Sequence, residues 1–153
     1  MTSTEIKLKF MRIALLEAER AYKKEEIPVG AVIVKDDKII SKGHNRNRKK
    51  NDATLHAEII AITKASKKLK SERLTDCELY VTKEPCSMCA GAIVNARLKK
   101  VIIAAEDIKY GACGTVLSVC GNDILNHVPE IEFGVLREES SSILKQFFSK
   151  LRK

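Results

Sequence analysis

One histidine, one glutamate and two cysteines form the most chemically distinctive group in this chain of 153 residues. His56 and Glu58 stand two positions apart, and Cys86 and Cys89 follow them with a Cys-x-x-Cys spacing. An imidazole and two thiolates are ligands that zinc selects. A structural zinc site is normally closed by a fourth protein ligand, whereas a catalytic site leaves a position for water. Three ligands with a free carboxylate nearby therefore predict a catalytic zinc site.

The cysteine pair is only moderately specific when it is considered alone. Two cysteines separated by two residues also occur in redox dithiols and as one half of a structural zinc site. The sequence contains no second Cys-x-x-Cys pair that could complete a structural site. The combination His-x-Glu with Pro-Cys-x-x-Cys is much more specific and favours a zinc-dependent hydrolytic site.

Both ligand groups are predicted at the beginning of a helix. Thr54 can cap a helix over about 55–69, which puts His56 and Glu58 in its first turn. Pro85 suits the first position of a second helix that ends near Arg97. The positive N-terminal end of that helix favours thiolates over thiols. The two helix N-termini are therefore expected to converge on one metal.

Five short apolar segments predict strands, at about 29–34, 38–40, 78–81, 101–105 and 131–133. Amphipathic spacing predicts a first helix over about 4–24 and a last helix that carries Leu144, Phe147, Phe148 and Leu151. The tight Asp36-Asp37 turn favours antiparallel pairing of the first two strands, whereas intervening helices favour parallel crossovers later. We therefore expect an α/β fold with a mixed five-stranded sheet and helices on both faces.

The length and the start of the chain favour a single domain over 1–153 in the cytoplasm. No basic, apolar leader begins the sequence, and no apolar run has the length of a membrane span. Five cysteines in such a chain indicate thiols and metal ligands rather than a disulfide framework. Cys77, Cys113 and Cys120 are interpreted as small hydrophobic residues.

The net charge of +8 and the pI of 9.3 favour a polyanionic partner such as nucleic acid. A solvated lysine-rich surface is the alternative interpretation. The basic residues cluster on both sides of the His56 motif, which favours nucleic acid: Lys42, Arg46, Arg48, Lys49 and Lys50 precede it, and Lys64, Lys67, Lys68, Lys70 and Arg73 follow it.

Several motifs extend this signature over nearly the whole chain: Ile27-Pro28-Val29-Gly30-Ala31-Val32, Asn45-Arg46, His56-Ala57-Glu58-Ile59, Glu84-Pro85-Cys86-Ser87-Met88-Cys89-Ala90-Gly91-Ala92-Ile93, and Asp107-Ile108-Lys109-Tyr110-Gly111-Ala112-Cys113-Gly114. With them the chain resembles bacterial tRNA adenosine deaminases of the TadA type, in the cytidine/deoxycytidylate deaminase superfamily. The resemblance implies a three-layer α/β/α fold of the cytidine deaminase type.

The resemblance also implies a reaction, a cofactor and partners. A homodimer with one Zn²⁺ per subunit would convert the wobble adenosine of a tRNA anticodon stem-loop to inosine, and no membrane partner is expected. Zinc would lower the pKa of its water. Glu58 would take a proton from that water, deliver it to a ring nitrogen and later protonate the departing amine.

Substrate contacts follow from the same resemblance. Asn45 and the backbone of Ala57 would hold the flipped base or its ribose, and Val29 would line the pocket. Asp107 and Phe148 would contact neighbouring nucleotides.

The sequence departs from the family pattern at Ala53 and Leu55, where Asp-Pro-Thr-Ala is usual before the histidine, and at Asn95, where a histidine is common. Two alternatives remain open at this point: a deaminase of a free guanine- or cytosine-type nucleobase or nucleoside, and a zinc-stabilised RNA-binding module.

Overall fold

The chain is built around one five-stranded sheet in this computed structural model, which describes residues 1–152. Its elements are, in chain order, α1 (Ser3–Lys23), β1 (Gly30–Lys35), β2 (Lys38–His44), α2 (Ala57–Leu69), β3 (Cys77–Lys83), α3 (Ser87–Ala96), β4 (Lys100–Ala105), β5 (Glu130–Phe133) and α4 (Arg137–Leu151). The strands lie in the order β2-β1-β3-β4-β5.

The sheet is mixed, as the sequence predicts. β1 is antiparallel to both β2 and β3, while β3 with β4 and β4 with β5 are parallel. Asp36 and Asp37 form the turn between the first two strands with φ angles of 51° and 59°, which aspartate tolerates in tight turns. Because β2, β3 and β4 all run in one direction, the loops that follow them leave the same edge of the sheet.

Helices cover both faces of the sheet, which confirms the predicted fold class. Neighbouring strand residues point to opposite faces, so each strand contributes to two cores. One core joins α1 to the sheet through Phe10, Met11, Val32, Tyr80 and Ile102. The larger core joins α2 and α3 to the other face through residues that include Ala57, Ala61, Ile33, Leu79, Ile93 and Ile103. The last helix, α4, contacts α1, β3 and β4.

The predicted start of α2 is wrong by two residues. The helix begins at Ala57, and His56 occupies the N-cap position with extended backbone angles. Thr54 does not cap the helix, because its hydroxyl donates to the carboxylate of Asp52 at 2.6 Å. The backbone N–H of Ala57 instead donates to the side-chain oxygen of Asn45 at 2.8 Å. The capping oxygen therefore comes from a preceding loop.

The predicted start of α3 is also two residues early. Pro85 is not helical, since the helix begins at Ser87 and Cys86 occupies the N-cap position. The Pro85 carbonyl accepts a hydrogen bond at 2.9 Å from the N–H of Ala112, and this bond ties the residue to a later loop. In consequence, the predicted ligands His56 and Cys86 lie at the N-cap positions, just outside their helices.

The remaining cysteines behave as the sequence predicts. Cys77, Cys113 and Cys120 are buried in the larger core, with 5% of their surface exposed or less. Across residues 1–152, no helix combines the length and the apolar character needed to cross a membrane.

The close approach of α1 to β1 gives a prediction about stability. A Cβ atom at Gly30 would lie 1.9 Å from the carbonyl oxygen of Ala14. We expect Gly30→Ala to lower the free energy of unfolding by about 3 kcal/mol, because the helix must move away from the strand. Gly91→Ala in α3 is the control, because the new Cβ meets no atom within 4 Å. Since alanine favours a helix over glycine, this substitution should raise the free energy of unfolding by up to about 1 kcal/mol. Urea unfolding measures the stability of both variants. A Gly30→Ala protein as stable as the parent would contradict the close contact between α1 and β1.

Candidate active site

The predicted metal ligands converge in the structure. His56, Cys86 and Cys89 each offer one ligand atom, and these atoms all lie within 4.8 Å of one another. The Nδ1 atom of His56 lies 3.6 Å from the sulfur of Cys86 and 3.5 Å from that of Cys89. The two loops that carry them follow β2 and β3 and leave the same edge of the sheet, which is why the ligands meet.

These distances fit a tetrahedral metal ion. Zinc–sulfur bonds of about 2.3 Å and zinc–nitrogen bonds of about 2.0–2.1 Å imply roughly 3.6 Å between a sulfur and a nitrogen of one tetrahedron. The His56 Nδ1 atom keeps that separation from both sulfurs. Within residues 1–152, no other group of three or more histidine, cysteine or acidic side chains has a comparable arrangement.

The pKa values of the two cysteine thiols are shifted in opposite directions. A hydrogen bond from Cys89, supported by His56, lowers the pKa of Cys86 to about 3 against the effect of burial. The same hydrogen bond, together with burial, raises the pKa of Cys89. The hydrogen bond with Cys86 also raises the pKa of His56. Metal ligands must be deprotonated, so metal binding at this cluster displaces a proton from Cys89.

Glu58 is buried in the first turn of α2, with 3% of its surface exposed. Burial raises the pKa of Glu58 to about 7, although the nearby charge of His56 opposes the shift. A carboxyl group with a pKa near neutrality can both accept and return a proton. The geometry thus pairs a metal-ligand cluster with an acid–base group.

Asn45 is fixed by the backbone of α2. Its side-chain oxygen accepts the Ala57 N–H, so its amide nitrogen must point the other way. Asn45 lines the cavity beside the ligand cluster, and its amide nitrogen has no hydrogen-bond partner within residues 1–152. Ala57 is fully buried, and its N–H is already bonded to Asn45.

A cavity of about 950 Å³ opens onto the ligand cluster. Most of the predicted site residues lie in its wall: Val29, Asn45, His56, Glu58, Cys86, Asp107 and Phe148. Ala57 and Cys89 do not line the cavity, since both residues are fully buried.

The outer wall consists of the loop after β4 and the last helix. Asp107 accepts the N–H groups of Lys109 and Tyr110 at 3.0 and 3.1 Å and pairs with Lys83 at 3.1 Å. Burial alone would raise the pKa of Asp107, but these contacts together outweigh it and lower the pKa. Phe148 reaches the cavity from α4 and packs edge-on against Phe147, with ring centroids 5.5 Å apart.

The structure adds cavity residues that the sequence analysis did not select. Asn47, Lys83 and Tyr110 also line the wall. The side-chain oxygen of Asn47 is buried without a hydrogen-bond partner within residues 1–152. The sequence offers a signal for Tyr110, which lies within a family motif, and for Lys83, which directly precedes one. The position of Asn47 depends on a loop conformation that sequence does not specify.

The fold and the cluster together define an enzyme of the deaminase class. The model of the MafB19-like deaminase family matches residues 6–152. The tRNA-specific adenosine deaminase of Aquifex aeolicus is 48% identical over 143 residues, which cover 94% of each chain. The present chain therefore belongs to the deaminase family, and within it to the tRNA-specific adenosine deaminases.

Two solved structures extend the comparison. A structure from a study of A-to-I editing by tRNA:A34 deaminases at the wobble position has a TM-score of 0.85 and 41% identity, over 88% of this chain and 98% of that chain. A guanine deaminase from Bacillus subtilis has a TM-score of 0.61 and 48% identity, but over only 64% of this chain and 63% of that chain.

The ligand geometry predicts which cysteines hold the metal. We expect the purified protein to bind one equivalent of metal per chain, and Cys89→Ala to bind it at least about tenfold more weakly. Cys77→Ala is the matched control, because that cysteine is buried in the core but lies outside the cluster. Elemental analysis after dialysis measures the content, and a Cys89→Ala protein with full metal occupancy would refute the assignment.

Proposed function

We propose that this protein deaminates the wobble adenosine of a tRNA anticodon loop to inosine by hydrolysis. The observation that carries the proposal is the position of Glu58 beside the His56, Cys86 and Cys89 cluster, at the base of a cavity wide enough for a nucleotide. The family and the tRNA-specific relatives support the choice of reaction and substrate.

The resident metal in this proposal is one Zn²⁺ per chain, held by His56, Cys86 and Cys89. Two sulfurs and one nitrogen suit zinc, and three protein ligands match a catalytic rather than a structural site. Zinc in such a site supplies a water of lowered pKa, which is the nucleophile that amine hydrolysis requires.

Glu58 performs the proton transfers. Its carboxylate takes one proton from the attacking water and delivers it to a ring nitrogen as the new C–O bond forms. It then carries the second proton of that water, from the new hydroxyl group, to the amine, so that the C–N bond breaks and ammonia leaves as the C=O bond forms. A pKa raised to about 7 by burial suits both directions of transfer near neutral pH. The alternative of a zinc-stabilised RNA-binding module leaves this buried carboxylate without a role.

Substrate recognition is assigned to the cavity wall. The free amide nitrogen of Asn45 would donate to an acceptor on the base or ribose, while Val29 provides an apolar surface for the base. The buried Ala57 contributes through its N–H, which holds Asn45 in position. Asp107 and Phe148 would contact the flanking nucleotides from the outer wall.

A tRNA anticodon loop suits this site for two physical reasons. Its bases are already unpaired, which removes much of the few-kcal/mol cost of extracting a base from a duplex. The net charge of +8 would attract phosphates and make binding strongly dependent on salt.

We also propose a single cytoplasmic domain that acts as a homodimer. Apolar side chains outside the cavity are exposed in the segment between β4 and β5, including Ile124, Leu125 and Val128. Exposed apolar groups of this kind favour burial against a partner, and a second subunit is the partner that the family resemblance implies.

The second candidate is a deaminase of free guanine. It is favoured by the 48% identity to a guanine deaminase, although that match leaves more than a third of the chain uncovered. The net basic charge gives no advantage for a small neutral base, so we rank this candidate below the tRNA substrate.

Incubation with an unmodified tRNA that carries adenosine at the wobble position separates the candidates. We expect inosine at that position alone, detected after nuclease digestion and chromatography. A matched tRNA with guanosine at the wobble position is the control and should remain unchanged. Deamination of free guanine together with no inosine in tRNA would refute the proposed substrate.

A Glu58→Gln substitution tests the proton transfers. The amide keeps the size of the side chain but cannot accept the proton, so we expect kcat to fall by about 10⁴-fold while the metal stays bound. Glu72→Gln is the control, since Glu72 is exposed and remote from the cavity. Single-turnover inosine assays measure the rates, and a Glu58→Gln protein as fast as the parent would refute the role.

A further inference from the structure

Glu84 is a buried carboxylate that accepts four hydrogen bonds from one loop. It follows β3 directly, and only 3% of its surface is exposed. Its Oε1 atom accepts the N–H of Asp107 at 3.1 Å and the hydroxyl of Thr115. Its Oε2 atom accepts the N–H of Cys113 at 3.0 Å and the N–H of Thr115 at 3.1 Å. Both carboxylate oxygens are therefore used twice.

These donors come from both ends of the loop over 107–115, so one side chain determines its path. Hydrogen bonds to an ionised acceptor are stronger than bonds between neutral groups, particularly away from water. The middle of the loop packs on the same carboxylate, because a Cβ atom at Gly111 would lie 2.5 Å from Oε1 of Glu84. The loop is thus wrapped closely around Glu84.

The same loop forms the outer wall of the cavity. Its cavity-lining residues include Asp107, Ile108, Lys109, Tyr110, Val116 and Leu117, the last two lying just beyond Thr115. On its other side, Glu84 stands two residues before the ligand Cys86 in the chain. One carboxylate therefore links the wall that faces the substrate to the beginning of α3.

We propose that Glu84 is a positioning residue for substrate binding: its buried carboxylate holds the 107–117 wall at a fixed distance from the metal-ligand cluster. This inference rests on the proposed function, because the wall matters only if the cavity binds substrate. Glu84 also borders the cavity, but both of its oxygens are occupied by donors of the loop, so it acts through the loop.

Glu84→Gln tests this role with almost no change in volume. A glutamine replaces one accepting oxygen by an NH₂ group that can only donate. Each oxygen of Glu84 accepts two donors, so either orientation of the amide leaves two loop donors facing another donor. The loop should then lose its fixed path.

We expect the KM for an anticodon stem-loop to rise about tenfold in Glu84→Gln, with a smaller fall in kcat and full metal content. Amide hydrogen exchange should become faster at Asp107, Cys113 and Thr115. The control, Glu130→Gln, changes an exposed carboxylate on β5 and should match the parent in every measurement.

Thr115→Val provides a second variant that should fold normally, because Thr115 is exposed. It removes the hydroxyl donor but keeps the carboxylate, so we expect a KM increase smaller than that of Glu84→Gln. Thr115→Val also tests the proposal if Glu84→Gln does not fold. In that case, a parental KM and a parental rate of loop exchange in Thr115→Val would refute the proposal.

Two further outcomes would overturn the inference. A parental KM and a parental rate of loop exchange in a folded Glu84→Gln protein would show that the carboxylate does not determine the position of the 107–117 wall. Loss of metal from Glu84→Gln would show that it supports the ligand cluster instead. If the parent itself makes no inosine, the proposed function fails, while hydrogen exchange still reports whether Glu84 holds the loop.

Discussion

The site depends on the convergence of two helix N-termini at one edge of the sheet. His56 and Cys86 are the N-cap residues of α2 and α3, and their ligand atoms meet although 30 positions separate them. This contact is possible because β2 and β3 run in the same direction and both helices pack on one face. The metal cluster, Glu58 and the cavity all follow from that arrangement.

Buried carboxylates hold the loops that surround this edge. Glu84 binds the loop after β4, and Glu26 accepts the N–H groups of Arg48 and Lys49 in the loop after β2. In both cases, backbone N–H groups of the loop donate hydrogen bonds to a buried carboxylate instead of to water. Glu58 is buried as well, and burial raises its pKa to about 7. Two buried carboxylates thus hold loops, while the proposed function gives Glu58 the role of moving protons.

The metal site could be predicted from sequence because its residue types and spacing carry their own chemistry. The sheet could be predicted because apolar segments and the Asp36-Asp37 turn are local signals. The sequence predicts both helix starts two residues early. For α2 the reason is that the capping oxygen comes from Asn45, 12 positions before Ala57 in the connection from β2. Glu84 was not selected as functional, because its four donors lie 23 to 31 positions later and only the folded loop brings them together.

Deamination in water enriched in ¹⁸O tests most directly whether this edge of the sheet activates water against a purine. Hydrolysis at the cluster predicts that the oxygen on the inosine base comes from solvent, so each wobble inosine should carry one ¹⁸O atom by mass spectrometry. Inosine formed without the label would contradict attack by water at this site.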